Sequence, residues 1–208
     1  MDFQAPTILR RFAAHIVSLC KPRPTVATPE QLGEQLAAQA MFVSQKCATE
    51  YLRLRAGVSW DKLCDDPVFR DGYERGRWAA FVRVLGDVAE VCEIVLRSEG
   101  WTASQIDALV PPAVEAALAR YPQSRHDPMP AAAADDIRLR LARRRAEAPR
   151  PLRRIGNGSA RRIMALLPFD EALRDADLDY MANNLAFGLG QVHERLRASL
   201  DVAALAVR

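Results

Sequence analysis

Nucleophilic catalysis needs a serine or cysteine beside a base, and the chain has three histidines, His15, His126 and His193, to supply one. The serine in the most suggestive surroundings is Ser159, within the run GNGSA. A hydrolase elbow reads G-x-S-x-G on a strand-to-helix turn. Here the serine falls one place late and no strand is expected before it, so an ordinary loop between helices accounts for the run. The wider stretch IGNGSARR also has the makings of an anion-binding loop. Gly156 and Gly158 permit tight turns, and a helix opening at Ser159 would offer N–H groups to phosphate. It lacks the preceding strand, the G-x-x-x-x-G-K and the third glycine of nucleotide motifs. Di-iron chemistry in a helical bundle calls for Glu-x-x-His pairs, whereas the residues three before the histidines are Phe12, Gln123 and Gly190. Cys20, Cys47, Cys64 and Cys92 form no C-x-x-C pair, which argues against structural zinc. No metal and no cofactor are expected.

Charge offers a different kind of chemistry. From Asp136 to Arg162 ten arginines face two acids, a local charge of +8 within a chain of net charge +3. Arg143, Arg144, Arg145, Arg153, Arg154, Arg161 and Arg162 are the candidate anion- or partner-binding residues, because the planar guanidinium fork suits carboxylate and phosphate. Arginine also outnumbers lysine overall, the only lysines being Lys21, Lys46 and Lys62. Coding bias toward arginine explains that ratio without any function. The segment contains no aromatic residue, which removes the stacking component of single-strand binding, so an acidic protein or an anionic membrane face ranks ahead of nucleic acid as partner. Self-association is also compatible with the pattern.

Such residues need a scaffold, and the pattern predicts an all-α fold, a helical bundle on long antiparallel helices with a basic C-terminal insertion near 136–162. Between Asp66 and Gly100, Phe69, Tyr73, Phe81, Val84, Leu85, Val88, Val91, Cys92, Val95 and Leu96 recur at three- and four-residue spacing, the mark of one long amphipathic helix. Asp66 is its N-cap, Pro67 its first residue and Gly100 its stop. Along it, Arg83–Asp87 and Glu93–Arg97 are spaced for ion pairs, and Glu90 and Glu93 read as surface or partner-facing charges. A second long helix, 29–56, starts at a Thr28/Gln31 capping box and ends at Gly57. Its apolar stripe is Leu32, Leu36, Ala40, Val43, Cys47, Tyr51 and Leu54. A short WDKLC helix joins the two into a hairpin. Pro111-Pro112 is expected to split 103–120 into two helices.

A third long helix spans 178–200, with Met181, Leu185, Leu189, Val192, Leu196 and Leu200 on one face. Gly72, Gly76, Gly188 and Gly190 suggest close helix approaches or hinges, and Asn183-Asn184 either a buried polar layer or an ordinary polar face. Residues 6–20 read as an amphipathic helix, docked on the bundle or lying on a membrane. The proline-rich run 121–130 divides the chain into a core at 1–122 and a C-terminal region at 123–208 packed on the same core. No strand, secretory signal or membrane span is expected, which places the protein in the cytoplasm or at the periphery of a membrane.

Residues 42–97, from FVSQKCATEYLRLRAG through WDKLCDDPVF to the RW-containing helix, resemble a little-characterised family of alphaproteobacterial helical proteins, some of which carry an esterase label. The resemblance covers about a quarter of the chain. It implies a helical fold and, for those members, hydrolysis, with no residue set to carry across. The leading expectation is a non-catalytic adaptor using its arginine-rich surface. An esterase-like hydrolase is the alternative.

Overall fold

Helix formation begins at Thr28, whose hydroxyl accepts the Gln31 N–H at 3.3 Å. The Gln31 side chain reaches back to the Ala27 N–H at 2.8 Å, one residue beyond the cap itself. In the computed structural model, which describes residues 25–120, 130–147, 151–168 and 170–206, α1 (Pro29–Ser44) runs through a π-helical turn (Gln45–Glu50) into α2 (Tyr51–Ala56). Gly57, with φ of 52°, ends this rod. The expected stripe holds as far as Tyr51. A π-turn advances more residues per turn than an α-helix, so the phase slips there. Leu52 is buried in its wake, and Leu54, expected inside, is 65% exposed.

After a 3₁₀ turn (Gly57–Ser59), α3 (Trp60–Asp65) leads to Asp66. The Asp66 carboxylate accepts the N–H groups of Val68 at 2.8 Å and Phe69 at 3.4 Å and so caps α4 (Pro67–Ser98). At 1.5 Å per residue, α4 is roughly 48 Å long. Its other end closes at Gly100, where φ is 86° and the Trp101 N–H returns to the Leu96 carbonyl at 3.1 Å. From Val84 to Val95 almost every residue is buried, so α4 is surrounded by other helices rather than laid on them. It forms an antiparallel hairpin with the α1–α2 rod.

The helix α5 (Ala103–Ala119) starts at a complete Thr102/Gln105 capping box. It does not break at Pro111-Pro112, as expected, but runs through both prolines. The carbonyls that lose their donors belong to Asp107 and Ala108, both exposed residues. Meanwhile Ile106, Leu109 and Val110 before the prolines stay in phase with Ala113, Val114, Ala117 and Leu118 after them, all buried. Packing onto α1 through one continuous face outweighs the local breaker.

The chain continues with α6 (Pro130–Ala146), a 3₁₀ turn (Leu152–Arg154), α7 (Asn157–Leu166), α8 (Glu171–Ala176), α9 (Leu178–Ser199) and α10 (Val202–Ala206). Ile137 and Leu141 of α6, Ile155, and Ile163 of α7 are fully buried in the same core as α1, α4, α5 and α9. The basic segment therefore contributes apolar side chains to the bundle. Gly76 lets the Leu166 carbonyl approach α4, and Gly188 lets α9 approach Val43 of α1. Asn183-Asn184 belong to a polar face rather than a buried layer: Asn183 is exposed and Asn184 donates to the Tyr180 carbonyl of its own helix at 2.9 Å.

Two ties close the bundle. Asp177, just before α9, accepts the Tyr51 hydroxyl at 2.7 Å and Arg55 Nε at 2.6 Å. Val26 forms a parallel bridge with Leu200, donating to the Ser199 carbonyl at 2.8 Å and accepting from Asp201 at 3.0 Å. There is no strand among the described residues, and no described helix is long and apolar enough to cross a membrane. The segment 6–20 and residues 121–129 lie outside the described residues.

Candidate functional site: a basic cleft between α4, α6 and α7

The side of α4 that meets α6 carries carboxylates where apolar residues would be expected. Asp87, Glu90 and Glu93 are all buried, which corrects the reading of Glu90 and Glu93 as surface charges. A buried carboxylate needs a matched partner, and α6 supplies arginines for two of them. Arg140 Nη2 lies 3.2 Å from Asp87 Oδ1. The Arg145 fork meets Glu93 with Nε 3.0 Å from both oxygens and Nη2 2.6 Å from Oε1. Arg83 of α4 completes the set, with Nη1 3.4 Å from Asp136. The offsets between paired residues are 53, 53 and 52 positions. An almost constant offset means that α6 lies parallel to α4 in a fixed register.

This ladder replaces the expected Arg83–Asp87 pair, since each partner reaches across to α6 instead. Glu93–Arg97 does form, at 3.4 Å. Arg140 gets close because residue 86 is glycine: its guanidinium occupies the space a Cβ there would fill, with Nη2 3.4 Å from the Arg83 carbonyl. The Nε of Arg140 is buried without an acceptor.

Beside the ladder opens a cleft of about 320 Å³. Arg83 and Asp87 come from α4; Asp136, Leu139, Arg140, Arg143 and Arg144 from α6, with Glu147 just after it; and Gly158, Ser159 and Arg162 from the start of α7, with Gly156 just before it. Gly156, with φ of 89°, turns the chain into α7 in a conformation that only glycine adopts readily. The helix opens at Asn157, two residues before the expected Ser159. Burial holds the Arg83 guanidinium below its ordinary pKa, and the nearby charges of Arg162 and Arg140 add to that, against Asp136 and Asp87.

The seven candidate arginines divide into groups. Arg143 and Arg162 line the cleft, are exposed, and have no ion pair among the described residues. Arg144 lines it too, but is bonded to Glu147. Arg145 is a structural residue: its side chain is 14% exposed, it is locked between Glu93 and Asp107, and its hydrogen bond to Glu93 raises its pKa. Arg153, Arg154 and Arg161 are exposed outside the cleft and likewise have no ion pair among the described residues. Arg83, Arg140, Asp87 and Asp136 were not among the candidates. A buried acid on a core helix was their only signal, and it was legible only once the helix was known to be covered on that side.

The hydrolytic constellation is not assembled among the described residues. Ser159 is 4% exposed and lines the cleft, but no histidine does. His193 sits on α9 with Nδ1 3.2 Å from Glu194. No group of three or more His, Cys, Asp or Glu residues among the described residues is placed to hold a metal ion. No protein family, curated protein or solved structure matches the chain.

Proposed function

We propose that the protein is a non-catalytic helical adaptor that engages an acidic protein partner through the exposed arginines of the α6–α7 segment. The observation that carries this reading is the division of the arginines. Arg138, Arg140, Arg144 and Arg145 are neutralised within the molecule, by acids that include Glu115, Asp87, Glu147 and Glu93. Arg143, Arg153, Arg154, Arg161 and Arg162 stand exposed with no ion pair among the described residues. Coding bias alone would give no reason for an unneutralised cluster to persist beside a neutralised one. Exposed arginines with no partner contribute little to stability, so their charge is available for association.

The test replaces those five arginines with Gln and leaves Arg145 in place. The variant should melt within a few degrees of the parent and lose capture of acidic polypeptide. Binding by the parent should weaken as salt rises, because screening limits each charge to about 8 Å at physiological ionic strength. Equal capture of polyglutamate by parent and variant would sink the reading. Preference for phosphatidylserine vesicles over polyglutamate would move the partner to an anionic membrane face, and preference for oligonucleotide would move it to nucleic acid. The hydrolase alternative draws on Ser159 in the cleft. It requires that Ser159→Ala abolish turnover of a p-nitrophenyl ester.

A further inference from the structure

The cleft itself has a chemistry that an acidic partner does not use up. We propose that it binds a phosphoryl group, as the dianion of a phosphate monoester or of inorganic phosphate, between Arg143, Arg162, Ser159 and the N-terminus of α7. This goes beyond the adaptor reading, because it requires no macromolecular partner.

Four observations converge on it. First, the charges lining the cleft are five arginines and three carboxylates, a surplus of two positive charges that matches a dianion. The carboxylates are already committed: Asp87 faces Arg140, Asp136 faces Arg83 and Glu147 faces Arg144. Arg143 and Arg162 are left over, and guanidinium groups bind phosphate oxygens in bidentate fashion. Second, α7 is ten residues long and its N-cap is Gly156, so no side chain caps its first N–H groups. Such groups, with the helix dipole behind them, favour an anion. Asp87 Oδ2 lies 3.8 Å from the position of a Gly156 Cβ, but Arg140 offsets that carboxylate.

Third, Ser159 lines the cleft while only 4% exposed, and its hydroxyl has no hydrogen-bond partner among the described residues. A phosphate oxygen in the cleft would give that hydroxyl an acceptor. Fourth, a Cβ at Gly158 would meet nothing within 4 Å, so the backbone at the start of α7 is open to close approach.

The experiment titrates the full chain with sodium phosphate and with sodium chloride at matched ionic strength, following heat and melting temperature. Phosphate should bind saturably and raise Tm, since a ligand that prefers the folded state stabilises it. A phosphoserine peptide and its unphosphorylated form make the second arm. Tighter binding of the phosphopeptide than of inorganic phosphate identifies a phosphoryl group carried on a protein, and the reverse identifies the free ion. Arg143→Gln with Arg162→Gln should weaken binding about tenfold or more.

Gly158→Asp separates binding from folding. A carboxylate at the start of a helix leaves Tm unchanged or higher, yet it should abolish the phosphate response. Arg153→Gln, outside the cleft, should leave that response intact while weakening capture of an acidic partner, so the two proposals fail separately. The phosphate proposal is overturned if chloride reproduces the shift, or if Gly158→Asp binds phosphate as the parent does.

Discussion

Among individual residues, burial decides chemistry more than residue type does. Cys47 and Cys92 are thiols in name, but burial in the core pushes both up to about 12, with Asp87 adding to the effect at Cys47 and Glu93 at Cys92. The reactive thiolate is scarcely populated at neutral pH. Iodoacetamide at pH 8 should therefore leave Cys47 and Cys92 unmodified in the folded protein and modify both in denaturant, as read by peptide mapping. Labelling of either at the rate of the half-buried Cys64 would mean that the hairpin core opens readily. Both cysteines were legible as core residues, because each falls on an apolar stripe. Glu93 was not, because a glutamate four residues before an arginine looks the same whether the helix is covered or bare.

Among elements, the ladder between α4 and α6 separates two kinds of arginine. Arg145→Gln removes the forked contact from a carboxylate that is 3% exposed, leaving Glu93 with Arg97 as its remaining ion pair. Hydrogen bonds to charged groups are worth about 1.5–3 kcal/mol, and a loss of that size is expected in urea unfolding. Arg153→Gln should stay within about 0.5 kcal/mol of the parent. Comparable losses from the two would erase the distinction on which the adaptor reading rests. The caps of α1 and α4 were legible because Thr28 and Asp66 act within three residues of themselves. Pro111-Pro112 and the π-turn misled for the complementary reason. The continuity of α5 is settled by its buried face on α1, and the exposure of Leu54 by a phase slip, neither of which a local rule contains. The cleft shows the same limit, since Arg83, Arg143 and Arg162 meet only after three helices have packed.

For the whole molecule, Asp177 is the knot that joins the hairpin to the C-terminal helices. Its hydrogen bonds from Arg55, then from Tyr51, hold its carboxyl below the ordinary carboxylate range, while burial and the hydrogen bond to Asp177 push Tyr51 up to about 12. A carboxyl whose pKa is lowered on folding contributes stability that is complete above its ordinary value, about 3.9. That contribution is lost as pH falls through the folded value. Melting temperature should therefore decline on acidification below pH about 4, and Asp177→Asn should show a shallower decline from a lower starting point. An identical acid profile in the two proteins would place the acid-labile contacts elsewhere.

The register of α6 against α4 also bears on inheritance. Positions 83 and 136, 87 and 140, and 93 and 145 each carry one acid and one base. At the two rungs whose acid is buried, 87 with 140 and 93 with 145, a change of charge on one side alone takes a partner from that buried carboxylate, whereas exchange on both sides restores the pair. Descendants of this chain should therefore change these positions two at a time, with position 86 held small for as long as position 140 keeps its arginine. Gain or loss of a residue within either helix would rotate the remaining rungs away from their partners by about 100°.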